Sequence, residues 1–214
     1  TLHLYRQSWV SRELEPIYYG EFQGDLYQAG DSYIGIRQGG ENSQYTIICV
    51  PGYVESMRYF QDLYAEVDCQ LILLNNADYH CPFKANEIKQ LDWEDNPHSL
   101  GSIDHDAYRL GQVIREFART DTVILHGHSR GGAVILDCGA QFPELARQAN
   151  KSISAILEAP VLPGALLAGN GSKPLTAMLT LYLAPIIFGR GRNTSAEELN
   201  KLPIMNPTNT LKTD

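Results

Sequence analysis

Long apolar runs are missing from this chain, and so is any dense cluster of basic charge. No stretch approaches the ~18 apolar residues of a membrane-spanning helix, and the longest, 177–188, is broken by Pro185. A membrane span is therefore not expected. Lys and Arg number 17 against 25 Asp and Glu, and they are scattered, so the chain carries a net charge of -8. That balance suits a solvated acidic surface and leaves no footprint for nucleic acid. The four cysteines, Cys49, Cys69, Cys81 and Cys138, form no CxxC pair. Three of them sit in or beside apolar runs, so reduced, buried thiols are expected. Repeats and low-complexity tracts are lacking too. No signal peptide is visible, and the chain opens on Thr1 without Met. It reads as a processed or trimmed product, with a cytoplasmic location expected and oligomeric state left open. A last scarcity matters most: there are six histidines, and none follows His128.

What is present is an ordinary globular composition. The 214 residues, 43% of them hydrophobic, suffice for one domain with a substantial core. The first forty residues are polar and Tyr-rich, punctuated by glycines, and predict short antiparallel strands such as SYIGIRQ. Continuous apolar runs at 45–50, 69–74, 122–127 and 153–157 then predict strands buried on both faces. Helical spacing marks 57–67 and a stripe through Leu100, Ile103, Ala107, Leu110, Val113, Ile114 and Phe117. Ser102 suits the N-cap of that second helix, and Asp104 and Asp106 suit its positive end. A further helix is expected from about Arg130 to Gln141. Residues 75–101 read as a polar excursion with weak order. Strands alternating with helices predict a mostly parallel sheet covered on both faces. After Pro160 come apolar segments interrupted by Gly and Pro, then a polar tail. The expected division is a core at 1–160 and a cap or lid segment at 161–214, with an ordinary packing helix as the alternative for that segment.

Between the third buried strand and its helix lies Gly127-His128-Ser129-Arg130-Gly131, a G-x-S-x-G match. A sharp strand-to-helix turn forces its central residue into a sparsely allowed backbone conformation. Residues two positions away then crowd, so Gly127 and Gly131 must be small. The turn lifts the Ser129 hydroxyl above the sheet edge. It also leaves the Arg130 N–H at a helix N-terminus, where partial positive charge suits an oxyanion. The bland alternative is a glycine-rich turn with an incidental Ser.

On these residues the chain resembles the α/β-hydrolase superfamily, over about 33–160. GHSRGG looks like the nucleophile elbow, TIICVPGY like the strand and loop that supply a second oxyanion donor, and ILEAPVLPG like the strand after the nucleophile helix. The resemblance implies an α/β-hydrolase-like sheet, incomplete within 1–160. The family usually has His-Gly in the oxyanion loop; here Pro51-Gly52 stands there, so the Tyr53 N–H is the implied second donor. The usual Asp-containing, Gly-rich turn after the next strand is replaced by NNADYHCPF. Serine at the elbow argues for acyl transfer: hydrolysis of a carboxylic ester or thioester through an acyl-enzyme on Ser129. Acyltransfer to another acceptor has the same signature. No cofactor or metal is required. The apolar segment 161–188 points to a small-molecule acyl substrate of apolar character.

A serine hydroxyl needs a base, and the family order of Ser, then acid, then His meets no late histidine. His126 reads as a core histidine, and His128 as a packing or hydrogen-bonding residue. His80, at a strand's carboxyl end, is a candidate for approaching the site, although its Asp78-Tyr79-His80-Cys81 cluster falls short of a metal ligand set. His98 and His105 read as surface residues, and His3 is remote. Glu158 closes the strand after the nucleophile helix. It is a candidate triad acid, with a structural hydrogen-bonded carboxylate and a rim residue as alternatives. Three accounts of the missing base stay open: a C-terminal part lying elsewhere, an unusual base, or a noncatalytic hydrolase-like binding protein.

Overall fold

The computed structural model describes residues 20–53, 55–77, 79–147 and 151–162. His3 and the expected cap segment beyond Leu162 lie outside these residues. The described chain runs β1 (Asp25–Ala29), β2 (Ser32–Arg37), β3 (Tyr45–Val50), α1 (Arg58–Leu63), β4 (Gln70–Leu74), β5 (Lys89–Gln90), α2 (Ile103–Phe117), β6 (Thr122–His128), α3 (Arg130–Gln141), a 3-10 turn (Leu145–Arg147) and β7 (Ser152–Glu158). The strands form one sheet in the order β5-β1-β2-β4-β3-β6-β7. β1 pairs antiparallel with β2, and β2 antiparallel with β4. β4, β3, β6 and β7 pair in parallel.

The period of two along β3 and β4 divides the core. Ile48, Val50, Ile72 and Leu74 face one layer, where α2 contributes Leu110, Val113 and Ile114 and α3 contributes Val134, Ile135 and Cys138. Ile47, Cys49, Leu71 and Leu73 face the other, with Met57 and Phe60 at α1 and with Cys81 and Phe83. Both faces of the central strands are covered, so neither has room for alternating polar residues. All four cysteines are buried and free. Among the described residues no helix is long and apolar enough to cross a membrane.

α2 begins where its cap predicts: Ser102 is extended (φ -74°, ψ 161°), and its Oγ accepts the His105 N–H at 3.1 Å. Leu100 lies before this helix and is exposed, so the apolar stripe is shorter than its spacing suggests. α1 is shorter than the expected 57–67. Beyond Leu63 the chain tightens, and the Arg37 guanidinium of β2 donates to the carbonyls of Tyr64 and Val67, both at 2.9 Å. A cation from the neighbouring sheet thereby takes up orphan carbonyls at the helix end.

Two expectations need correction. The excursion at 75–101 has little regular structure, but its first part is core: Asn75, Asn76, Ala77, Tyr79, His80, Cys81 and Phe83 are buried. β7 was expected to be buried on both faces, yet Ile156 is 45% exposed. It is the last strand of the sheet among the described residues, with β6 alone beside it.

Leu110→Ala removes a fully buried side chain from the layer between α2 and the sheet. The expected loss is about 2–5 kcal/mol. It should appear as a lower urea midpoint at unchanged m-value; a loss below about 1 kcal/mol would contradict this packing.

Candidate active site

Ser129 occupies φ 50° and ψ -113°, one of two positive-φ residues other than glycine among the described residues. Its main chain is tied on both sides to the end of β7. The Ser129 N–H donates to the Glu158 carbonyl at 2.8 Å, and the Val161 N–H donates to the Ser129 carbonyl at 2.9 Å. The glycines leave the space this turn needs. A Cβ on Gly127 would lie 2.5 Å from the Gly131 carbonyl, one on Gly131 would run into the Val50 carbonyl, and one on Gly132 would lie 2.6 Å from Pro160. The expected elbow is therefore present, with Arg130 as the first residue of α3.

The oxyanion-loop candidate lies alongside. A Cβ on Gly52 would come within 3.0 Å of the Ser129 Cβ. The Gly52 N–H donates to Glu55 Oε2 at 2.6 Å, and the Gly52 carbonyl accepts from Asn76 Nδ2 at 2.8 Å. Tyr53 follows in a turn and is 57% exposed. A cavity of about 210 Å³ opens here, lined by Tyr53, Asn76, Tyr79 and Leu100 with Asp106 and Arg130.

The Arg130 side chain joins three segments. Its Nη1 donates to Asn76 Oδ1 at 2.9 Å and to Asp106 Oδ2 at 2.6 Å. Its Nη2 donates to the carbonyls of Gly101 and Ser102, both at 3.0 Å. Asp106 Oδ1 also accepts the Ala77 N–H at 3.1 Å. A buried carboxylate facing a guanidinium with this many hydrogen bonds offsets its desolvation. Sequence reading assigned Asp106 only to the helix dipole. Its position four residues before Leu110, on the buried stripe, was the available signal, because a charge there needs a partner.

The histidines divide differently from expectation. His105 is not a surface residue: it is 4% exposed, with its Nδ1 3.6 Å from Asp106 Oδ1. The first turn of α2 packs inward against the 75–77 loop, which carries His105 in with Asp106. His98 is half-buried with its ring edge-on to Tyr108. His80 is buried, and its carbonyl accepts from Asn75 Nδ2 at 3.1 Å. The neighbouring Asp78 lies outside the described residues. Among the described residues no group of three or more His, Cys, Asp or Glu could hold a metal ion. The side chain of His128 turns toward Glu55, with Nδ1 2.5 Å from Oε1 in a close contact that lacks hydrogen-bond alignment.

His126 is a core histidine, as expected, and it lies beside Glu158. Burial pushes the Tyr64 phenol up to about 12, and its hydroxyl lies 2.7 Å from His126 Nδ1. His126 Nε2 faces Glu158 Oε2 at 3.3 Å. Glu158 also accepts from the Tyr59 hydroxyl, at 3.1 and 3.2 Å to its two oxygens. The candidate acid is thus a partnered carboxylate, 41% exposed. Sequence reading missed Glu55, Asn76, Tyr59 and Tyr64, which carry no local signal of these contacts.

No protein-family model and no curated protein matches this chain. Solved structures do. A protein of Agrobacterium vitis S4 described as a hydrolase is 22% identical over 79% of this chain and 62% of its own length, with a TM-score of 0.45. YbtT, a type II thioesterase from yersiniabactin biosynthesis, is 17% identical over 84% of this chain and 67% of its own, with a TM-score of 0.42. The N-acyl homoserine lactonase AidH is 12% identical over 87% and 66%, with a TM-score of 0.48. The chain spans less than two thirds of the length of the Agrobacterium protein. Its own strand order, parallel crossovers and elbow define the fold as α/β-hydrolase-like.

Two outcomes follow. Ser129→Gly should be more stable than Ser129→Ala by roughly 1–3 kcal/mol, because glycine adopts positive φ without strain; equal thermal stabilities would argue against a strained elbow. The second concerns pH. Burial lowers the His126 pKa below its ordinary 6.5, against the opposing pull of Glu158. The unfolded chain then binds the proton more readily than the folded one, so His126 destabilises the fold as pH falls through about 6.5. Urea midpoints between pH 8 and 5 should decline less in His126→Gln than in the parent, and identical slopes would count against this assignment.

Proposed function

We propose that this chain carries the nucleophile of a serine hydrolase acting on a carboxylic ester or thioester. The observation that carries the reading is the positive-φ backbone of Ser129 at a strand-to-helix turn. Ser129 Oγ attacks the acyl carbonyl, its proton passes to a base, and the alcohol or thiol leaves to give an acyl-enzyme. Water then releases the acid and frees the serine. The backbone N–H groups of Arg130 and Tyr53 hold the tetrahedral oxyanion. For Tyr53, support comes from the preceding peptide: the Gly52 N–H already serves Glu55, which leaves the next N–H along the loop for a ligand. Glu158 is the acid that orients the base, itself oriented by Tyr59 and His126. The cavity beside Tyr53 and Leu100, bordered by Arg130, offers room for a small acyl substrate. The proposed chemistry uses no cofactor.

One observation favours a second reading. His126 and His128 flank the elbow, yet each directs a ring nitrogen at other partners, Tyr64 and Glu158 for one and Glu55 for the other. A hydrolase-like binding protein without a working base fits that arrangement.

A fluorophosphonate probe separates the two. The full-length protein should label, and Ser129→Ala should abolish both labelling and p-nitrophenyl butyrate hydrolysis. A folded full-length protein that does neither supports the binding protein instead.

A further inference from the structure

The loop NNADYHCPF, which stands where the resembled family has a different turn, places Asn76 against the oxyanion loop. Asn76 is buried, and its amide has two fixed contacts. Arginine only donates, so the Arg130 Nη1 contact at 2.9 Å must fall on Oδ1. The amide nitrogen is then turned to the Gly52 carbonyl, 2.8 Å away, and the orientation is set by the network. That carbonyl belongs to the same peptide unit as the Tyr53 N–H. The peptide bond between Gly52 and Tyr53 is trans, so the two groups point in opposite directions across one rigid plane. Holding the oxygen therefore aims the N–H.

We propose that Asn76 is a positioning residue that directs the Tyr53 N–H toward the oxyanion, with Arg130 orienting Asn76. This rests on the reading of Tyr53 as an oxyanion donor. The nucleophile's two neighbours act on the two peptides that meet at Gly52. Arg130 reaches the Gly52 carbonyl through Asn76, and His128 lies against Glu55, which accepts the Gly52 N–H. Asp106 anchors Arg130 from α2. Gly52 therefore has both its polar main-chain groups held, beside the Ser129 Cβ, and its donor to a ligand comes from the following residue.

The test compares Asn76→Asp, Asn76→Ala and Asn76→Gln in the full-length protein, with p-nitrophenyl butyrate as the probe substrate. Asp keeps the size and the Arg130 contact but has no proton for the Gly52 carbonyl. Its kcat should fall about 100-fold, the scale of losing one oxyanion donor, with KM changed less than about threefold. Gln, which keeps the donor, should recover part of the loss. The backbone amide resonance of Tyr53, read by heteronuclear NMR in Asn76→Asp, should shift while those of β3 stay in place. Asn76→Ala removes both contacts and should follow Asp; should it fail to fold, Asp and Gln carry the test alone. A kcat within threefold of the parent in folded Asn76→Asp overturns the proposal, and so does an unmoved Tyr53 amide. Failure of the serine-hydrolase reading is distinct: the parent shows no Ser129-dependent turnover, and the Tyr53 amide alone then decides whether Asn76 orients this peptide.

Discussion

The left-handed backbone of Ser129 is the constraint around which this molecule is arranged. A non-glycine residue in such a conformation costs on the order of 1–3 kcal/mol. The hydrogen bonds to Glu158 and Val161 offset it only in part, at about 0.5–1.5 kcal/mol each. The turn that supplies them has its own strain, since Ala159 also has positive φ, at 42°. Close packing provides the rest: α3 approaches β3 and β6 so tightly that Gly127 and Gly131 have no room for a methyl group, and Pro160 leaves none at Gly132. The elbow is thus a product of the sheet, the helix and the segment after β7 together.

Around that elbow the polar groups are organised as two chains that do not overlap. One runs from Arg130 to Asp106, Asn76 and the main chain of the 75–77 loop. The other links Tyr64, His126, Glu158 and Tyr59 on the α1 face of the sheet. The first holds loops in place with charge-assisted hydrogen bonds, which retain their strength in a buried setting. The second keeps a histidine neutral and a carboxylate oriented at the end of β7. His128 and Glu55 stand between them and touch the loop that carries Tyr53.

Much of the fold was legible along the chain. The runs at 45–50, 69–74 and 122–127 are strands because their apolar residues are continuous rather than alternating and so demand burial on both faces. Ser102 starts α2 because its hydroxyl competes for a free N–H at the helix end. The elbow was legible because Gly127 and Gly131 crowd each other within five residues. Less was legible of the site. Arg130 meets Asn76 from 54 residues away and Asp106 from 24 away, and nothing local in NNADYH announces either contact. His105 was misplaced because the polar residues around it mask a helix turn that packs inward. The extent of α1 was overestimated because the competing partner, Arg37, comes from another strand.

The amino-acid sequence by itself determined where the strands and helices lie and which serine stands at the strained turn. Those properties follow from periodicity and backbone sterics, which act over a few consecutive residues. Only the tertiary structure decided that Glu158 faces His126 and Tyr59, that β7 lies exposed at the end of the described sheet, and that Asn76 grips the loop before Tyr53. Each of these depends on which side chains meet across the sheet's carboxyl edge. Distance along the chain says little about that, because every crossover returns the chain to the same edge.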